Sequence, residues 1–259
     1  MFFSGAAVTD IGIVKKVNQD SLMLKIANTS VGMACMAVVC DGLGGLEQGE
    51  VASGNVVIAF ERWFEEIFLK TKKQWNLDSI RDEWERLIYS MNQKIMDYGE
   101  RQGVELGTTV TAFLAVGKSY YVIHVGDCRL YEIKDYTCRL LTKDQTVVAK
   151  EVERGLLTPE QALKDNRRNV LLQCIGVTQD ISPEFICGEL KEQASYLICS
   201  DGFRHEVSQE EIYEKCQYNG KLSFQELEMN LKSLVELNKM RKERDNISAI
   251  LIQVGNEEC

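Results

Sequence analysis

Short apolar runs bounded by polar or glycine-containing turns recur along the chain and predict β-strands. The first 41 residues contain three of them, at Val8–Gly12, Ser21–Ala27 and Gly32–Cys40. The third run is apolar along nearly its whole length, which is typical of a strand buried on both faces. Further strands are predicted between residues 108 and 142, between 186 and 200, and at 247–254.

Apolar residues spaced three and four apart predict helices between these strands. One helix is predicted at Gly49–Lys70 and a second at Asp78–Arg101, with Asp78 as its N-cap. Strands and helices therefore come in blocks and do not alternate, which disfavours a doubly wound parallel sheet and indicates an α+β fold. No repeat or linker divides the chain, so we expect one domain over residues 1–259.

A helical segment interrupts the second block of strands. Residues Asp144–Arg154 have a helical pattern that Gly155 ends, and Thr158-Pro159-Glu160-Gln161 combines a capping box with proline at the first helical position. The sequence thus predicts a mainly helical insertion at about residues 144–176.

Composition narrows the functional classes. The 259 residues are 45% hydrophobic with a net charge of −9, which argues against nucleic acid and against an anionic membrane as partners. The first residues lack a secretory signal and the longest apolar run is too short to cross a bilayer, so we expect a cytoplasmic protein. Nine cysteines without a C-x-x-C pair, and only 2 histidines, disfavour a structural zinc site.

Four aspartates stand where apolar runs meet loops: Asp41, Asp127, Asp201 and Asp245. Each alone is most simply a turn residue, since Asp-Gly pairs are common in turns. Together they predict a carboxylate-lined site at one edge of a sheet, because hard cations prefer oxygen ligands. Asp41 is placed to bridge two cations and the carbonyl of Gly42 to add another oxygen. Two such cations would activate a bridging water and bind a phosphoryl oxygen.

Other phosphate chemistries lack their motifs. No cysteine is followed by five residues and an arginine, no D-x-D pair follows a strand, and the G-x-S-x-G elbow is absent. The glycines after Asp41 are not followed by Lys-Ser or Lys-Thr, so they do not form a P-loop.

Eight segments occur in the order GIVKKVNQDS, VVCDGLGGLEQGEVAS, GTTVTAFLAV, YYVIHVGDCRLY, LTKDQTVV, RRNVLLQCIG, YLICSDGF and RDNISAILIQV. In this order they resemble the bacterial metal-dependent protein serine/threonine phosphatases of type 2C, from Val8 to Val254. The resemblance implies an αββα sandwich, in which two antiparallel sheets are flanked by helices, and a helical flap at about 144–176. It also implies two Mn²⁺ or Mg²⁺ ions and hydrolysis by direct attack of a metal-bridging hydroxide.

The resemblance assigns roles to the acids. Asp41 would bridge the two metal ions, and the carbonyl of Gly42 would bind one of them. Asp201 and Asp245 would hold the other ion. Asp127, together with Asp201, would form a third, weaker site of the kind that bacterial members have.

Two positions depart from the family pattern. Lys15 stands where an arginine usually grips the substrate phosphate, and Gln19 stands where a glutamate usually precedes Asp20. Asp20 itself would orient metal-bound water from the outer shell. Lysine offers a point charge where arginine offers a bidentate fork, so we expect weaker phosphate binding and a raised KM.

The sequence therefore predicts a protein phosphatase that acts on phosphoserine and phosphothreonine. Its partners would be phosphorylated proteins, the substrates of an opposing serine/threonine kinase, and the chain would be a monomer. The alternative is a pseudo-phosphatase or phosphoprotein-binding module with weak turnover, which Lys15 and Gln19 would favour. A scaffold whose Asp-Gly corners are only turns is the remaining hypothesis, and it requires four coincidences.

Overall fold

The structure is a computed structural model that describes residues 1–30, 32–43, 48–70, 75–220 and 223–256. Its ten strands form two antiparallel sheets of five strands each. The first sheet has the order β1-β10-β9-β6-β7 and the second has the order β2-β3-β4-β5-β8. The strands are β1 (Phe2–Asp10), β2 (Ser21–Thr29), β3 (Gly32–Cys40), β4 (Val110–Val116), β5 (Ser119–Val125), β6 (Arg129–Lys134), β7 (Thr137–Leu140), β8 (Glu184–Glu189), β9 (Ala194–Cys199) and β10 (Ile247–Gly255).

The two sheets pack face to face around a central apolar core. Alternate residues of β3, including Ala37 and Val39, point into it from the second sheet, and Ile250 and Ile252 of β10 meet them from the first. Phe113 of β4 packs against Tyr196 of β9 with their ring centroids 5.3 Å apart. The two sheets therefore form the two inner layers of the sandwich, as the αββα prediction requires.

Helices cover both outer faces. Helices α1 (Gly49–Arg62) and α2 (Leu77–Gln102) pack on the second sheet, while α5 (Asp201–Arg204), α6 (Gln209–Cys216) and α7 (Phe224–Met240) pack on the first. A π-helix at Trp63–Phe68 continues α1. Because β3 faces the central core with one set of side chains and α1 with the other, both of its faces are buried, which explains its unbroken apolar sequence.

Strand register places several strand ends at one end of the sandwich. In the second sheet Ser21 pairs with Cys40, and in the first sheet both Ala249 and Arg129 pair with Cys199. The loops that follow β3 and β9 and those that precede β2, β6 and β10 therefore leave the sheets at this end. All of the predicted site acids lie in these loops or at their edges.

The helical insertion lies between β7 and β8 and contains α3 (Val147–Glu153) and α4 (Pro159–Lys164). The predicted capping box of Thr158 and Gln161 is present, with proline in the first turn of α4. The first of the two helices is shorter than the predicted Asp144–Arg154, because the Thr146 side chain caps it at the N-terminus. The prediction of a helical insertion is confirmed, with different bounds.

Two helix boundaries differ from prediction. Helix α2 is capped by Asn76, whose side chain accepts a hydrogen bond from the Ser79 backbone N–H, so Asp78 lies in the first turn and is not the N-cap. The predicted helix Gly49–Lys70 is α-helical only to Arg62, after which the π-helix begins. Among the described residues, no helix combines the length and apolar character needed to cross a membrane.

Phe113 tests the central core. Replacing it by alanine removes a fully buried ring that contacts Tyr120 and Tyr196, and we expect the free energy of unfolding to fall by about 3–5 kcal/mol. The matched control is Phe224→Ala, at an exposed position at the start of α7, where a loss below about 0.5 kcal/mol is expected. Urea titration of both variants measures the difference, and equal losses would contradict this assignment of the core.

Candidate metal centre

Asp41 lies at a backbone corner that is held on one side by the 107–109 segment. Its N–H donates to the Thr109 hydroxyl at 2.9 Å, and its carbonyl accepts from the Thr109 N–H and the Thr108 hydroxyl, both at 2.9 Å. These bonds fix the backbone while leaving the carboxylate free to turn toward the end of the sandwich. The position of Asp41 is thus set by the backbone and not by its own charge.

Gly42 packs so closely that no larger residue fits. A Cβ atom there would lie 2.5 Å from the carbonyl oxygen of Gln19 and 2.6 Å from the backbone of Gly49. The Gly42 N–H donates to the Gln19 carbonyl at 3.1 Å, which ties the Asp41 corner to the start of β2. The glycine is therefore required for the close approach of three segments, which explains one of the glycines in the predicted motif.

Gln19 connects three parts of the site through its backbone. Its N–H donates to Asn246 Oδ1 at 2.9 Å, and its carbonyl accepts from both Gly42 and the Ser53 hydroxyl of α1. Its side-chain Nε2 lies 3.4 Å from Glu50 Oε2, at the far limit of a hydrogen bond. An amide at position 19 can donate to Glu50, which a glutamate at this position could do only when protonated.

Asp20 is buried without a hydrogen-bond partner of ordinary geometry for either carboxylate oxygen among the described residues. Burial and the negative charge of Asp201 raise the pKa of Asp20 to about 7, although the nearby hydroxyls of Ser248 and Ser200 lower it in part. A buried acid in this state lacks the compensation that buried charges normally have.

Asp201 and Asp245 lie at the ends of neighbouring strands of the first sheet. Asp201 begins α5 and is separated from β9 by one residue, and Asp245 precedes β10. A Cβ atom on Gly202 would lie 2.2 Å from the Asn246 carbonyl oxygen, so the two corners are in direct backbone contact. Asp201 is buried, and its Oδ1 has no hydrogen-bond partner among the described residues.

Asp127 lies in the loop that passes from β5 in one sheet to β6 in the other. Gly126 before it has a φ of +108°, and a Cβ atom there would meet Thr109 Cγ2 at 2.5 Å, so only glycine allows this turn. Burial and the charge of Asp201 raise the pKa of Asp127 to about 7, while Arg204 acts in the opposite direction. Asp127 is thus a third buried aspartate at the same end, with Asp20 and Asp201.

The other four predicted aspartates lie close enough to Asp41 to affect its pKa. Burial raises the pKa of Asp41 well above its usual range, and the charges of Asp20, Asp201, Asp127 and Asp245 raise it further. The carboxylate is enclosed by protein although the residue as a whole keeps some exposure. The structure therefore brings every predicted site aspartate within electrostatic range of Asp41.

The acids lie near one another but are not arranged as a complete set of metal ligands. In the part of the chain that the structure describes, no three His, Cys, Asp or Glu side chains are grouped closely enough to hold an ion as they stand. Like charges in a low-dielectric site repel one another, which favours separation of the carboxylates when no positive charge lies between them. The acids share one end of the sandwich, and their ligand roles stay a prediction.

Lys15 supplies a positive charge beside this group. Its Nζ lies 2.7 Å from Asp245 Oδ1, in the loop between β1 and β2. Burial acts to lower the pKa of Lys15, but the hydrogen bond to Asp245 and the charges of Asp41 and Asp201 outweigh it and raise the pKa. The predicted phosphate-binding residue therefore lies at the site and is engaged by one of the acids.

Sequence inspection missed a supporting residue, His205. Its Nε2 lies 3.5 Å from Asp201 Oδ2 and its Nδ1 lies 3.3 Å from Glu243 Oε2. Glu243 in turn accepts hydrogen bonds from the backbone N–H groups of Arg244 and Asp245. His205 therefore links the Asp201 corner to the Asp245 corner. The spacing of four residues from Asp201 on one helical turn was the available signal.

Comparison with known proteins identifies the family. The family model described as "Protein phosphatase 2C" matches residues 13–236, which is most of the chain. The chain belongs to the protein phosphatase 2C family, as the order of its motifs predicted.

Individual relatives agree. A protein of Streptococcus pyogenes serotype M6, whose given name places it in the 2C type, is 30% identical over 252 residues, covering 96% of this chain and 97% of its own length. The structure of the S. agalactiae serine/threonine phosphatase has a TM-score of 0.84 at 27% identity and covers 98% of this chain and 100% of that one. The catalytic domain of the phosphatase PstP in complex with two manganese ions has a TM-score of 0.79 at 27% identity, with coverage of 98% and 99%.

The buried Asp20 predicts a pH dependence. With a folded pKa of about 7 and an ordinary value near 4, the unfolded chain releases this proton first as the pH rises, so the stability of the chelator-treated protein falls between about pH 4 and 7. Asp20→Asn removes this titration and keeps the size of the side chain. Between pH 5 and pH 8 we expect its loss of unfolding free energy to be smaller than that of wild type by about 2–3 kcal/mol.

The measurement is urea unfolding at pH 5 and pH 8 in the presence of a chelator. Asp82→Asn is the control, because Asp82 lies on the exposed face of α2. If wild type and Asp20→Asn lose the same stability between pH 5 and pH 8, Asp20 is not the carboxyl group whose raised pKa causes the loss.

Proposed function

We propose that this chain is a metal-dependent protein phosphatase that hydrolyses phosphoserine and phosphothreonine on proteins. The observation that carries the proposal is the gathering of five aspartates at one end of a type 2C sandwich, where each lies beside a tightly packed corner of the backbone. Family membership over most of the chain supports the same activity.

The residues present fit a divalent-cation centre. Both oxygens of Asp20 and Oδ1 of Asp201 are buried and have no hydrogen-bond partner of ordinary geometry among the described residues. Carboxylate and carbonyl oxygens are the ligands that Mg²⁺ and Mn²⁺ prefer. We assign Asp41, the Gly42 carbonyl, Asp201 and Asp245 as the residues that would hold two ions. When bound, such ions stabilise the charge of the transferring phosphoryl group and lower the pKa of coordinated water.

The protein contributes position and charge around that centre. The ammonium group of Lys15 lies 2.7 Å from Asp245 Oδ1 and can exchange this contact for one with the dianionic phosphate. Asp20 is fixed behind the Asp41 corner, because its backbone neighbours are tied to Gly42, Ser53 and Asn246. An acid held in that way can accept a hydrogen bond from water and orient it toward the phosphorus atom.

The finer features of the proposal are Mn²⁺ or Mg²⁺ as the bound ions and phosphoproteins of an opposing serine/threonine kinase as substrates. PstP, to which the chain is similar, has been solved with two manganese ions. We also propose that residues 1–259 form one catalytic domain that acts as a monomer in the cytoplasm, and that the insertion with α3 and α4 is a flap that selects substrates. In support, Gln145 at the base of the insertion bonds with Gly126, next to Asp127.

Substitution of the central acids tests the activity. Purified protein with Mn²⁺ should release phosphate from phosphoserine and phosphothreonine peptides, and excess EDTA should abolish the release. Asp41→Asn and Asp201→Asn should each reduce kcat/KM at least about 100-fold, because each removes a carboxylate that is expected to bind the ions. Asp82→Asn is the control and should keep wild-type activity.

Thermal unfolding of each variant in EDTA confirms that it is folded. Folded wild type that binds phosphopeptide but releases no phosphate with Mn²⁺ or Mg²⁺ would contradict the proposal and favour the pseudo-phosphatase. Phosphotyrosine peptides in the same assay test the preference for phosphoserine and phosphothreonine.

Lys15→Arg tests the contact with phosphate. A guanidinium can bind phosphate through two parallel hydrogen bonds where an ammonium offers a point charge, so we expect a several-fold lower KM with kcat little changed. Lys15→Met should raise KM above the wild-type value. Steady-state kinetics with one phosphopeptide measures all three proteins, and an unchanged KM in both variants would show that Lys15 does not contact the phosphate.

A further inference from the structure

Arg204 brings a buried positive charge into the acidic end of the sandwich. It is the last residue of α5, which Asp201 begins, and its side chain is only 12% exposed. Its Nη2 donates to the backbone carbonyl of Asp127 at 3.2 Å and lies 3.9 Å from Asp127 Oδ2. The guanidinium is therefore positioned on Asp127 through both the backbone and the carboxylate.

Asp144 lies beside the same guanidinium. Its two carboxylate oxygens accept from Nε and Nη2 of Arg129 at 2.8 and 2.7 Å in a bidentate pair, and Arg204 Nη2 lies 3.5 Å from its Oδ2. Because Arg129 already binds both oxygens of Asp144, Arg204 is a second positive charge at this corner, shared between Asp144 and Asp127.

Basic groups oppose part of the negative charge at this corner. Asp127, Asp144 and Asp201 face Arg129 and Arg204, with His205 a further basic group in range. The charge of Arg204 lowers the pKa of Asp127 and so opposes the effect of burial. The carboxyl group that the family resemblance assigns to a weak third metal site thus already has a fixed cationic neighbour.

A metal ion on Asp127 would compete with that neighbour. Ligand oxygens bind such ions at about 2.1 Å, so an ion on Asp127 Oδ2 would lie within a few ångströms of the guanidinium. Two positive groups at that distance repel strongly in a site shielded from water. Arg204 is also buried, which restricts how far it can move away.

We propose that Arg204 is a built-in cation that takes the place of a third metal ion at Asp127, so that this chain binds two divalent ions and not three. The proposal rests on the two-ion centre proposed above. Its direct consequence is that Asp127 should contribute nothing to the number of ions bound by the wild-type protein, whereas Asp41 should be essential.

Counting bound Mn²⁺ tests the proposal. Chelator-stripped protein is titrated with MnCl₂, and free Mn²⁺ is measured from its electron paramagnetic resonance signal up to millimolar concentration. We expect two ions in wild type and two in Asp127→Asn. Arg204→Gln, which removes the charge, should gain a third and weaker binding step, and this step should be lost in the double variant Arg204→Gln/Asp127→Asn. Arg204→Lys keeps a positive charge and should remain at two.

Several outcomes would overturn the proposal. A third ion in wild type that Asp127→Asn removes would do so, as would the absence of any extra step in folded Arg204→Gln. If Arg204→Gln does not fold, the wild type and Asp127→Asn still decide, because equal counts support the built-in cation and a lower count in Asp127→Asn contradicts it.

Failure of the underlying two-ion centre has a different signature. In that case wild type would bind no Mn²⁺ in the titration, or Asp41→Asn would bind as many ions as wild type. The result for Arg204→Gln would then not bear on the role of Arg204, because the proposed function itself would have failed.

Discussion

The aspartates at one end of the sandwich repel one another and are shielded from water. The rest of the site depends on this constraint. Asp41, Asp20 and Asp127 have raised pKa values because burial and neighbouring negative charges disfavour their ionised forms. Such a group costs stability in any chain that uses it only as structure. Positive charge is what relieves it, and the protein supplies part of that charge through Lys15 and Arg204.

The fold holds these acids by the backbone and not by their side chains. Gly42 and Gly202 permit contacts that a Cβ atom would prevent, and Asn246 joins two loops by accepting from the Gln19 N–H and donating to the carbonyls of Ile11 and Val17. The strand register of the two sheets keeps the corners that carry the acids together. The carboxyl groups with raised pKa values therefore lie on segments whose backbone is fixed by close packing and hydrogen bonds.

The sequence was sufficient to predict the sheets and the gathering of the acids, but not the contacts that surround the acids. The apolar runs predicted most strands, and the position of Asp41, Asp127, Asp201 and Asp245 at strand ends predicted their meeting. Arg204 and His205 could not be assigned in the same way, because their partners Asp127 and Glu243 are distant in sequence. The pairing of β9 with β6 brings Asp127 near, and the pairing of β9 with β10 brings Glu243 near. The first residue of α2 could not be predicted, because Asn76 and Asp78 are both good N-cap residues. Only the side-chain hydrogen bond of Asn76 distinguishes them.

We expect that Asp41 would lie between two divalent cations at this end of the sandwich. Anomalous diffraction at the manganese edge, from crystals grown with MnCl₂, tests it most directly. The account predicts two anomalous peaks, both within bonding distance of the Asp41 carboxylate, with Asp201 and Asp245 on one of the two ions. Peaks elsewhere on the protein, or none at Asp41 in crystals that contain Mn²⁺, would contradict it.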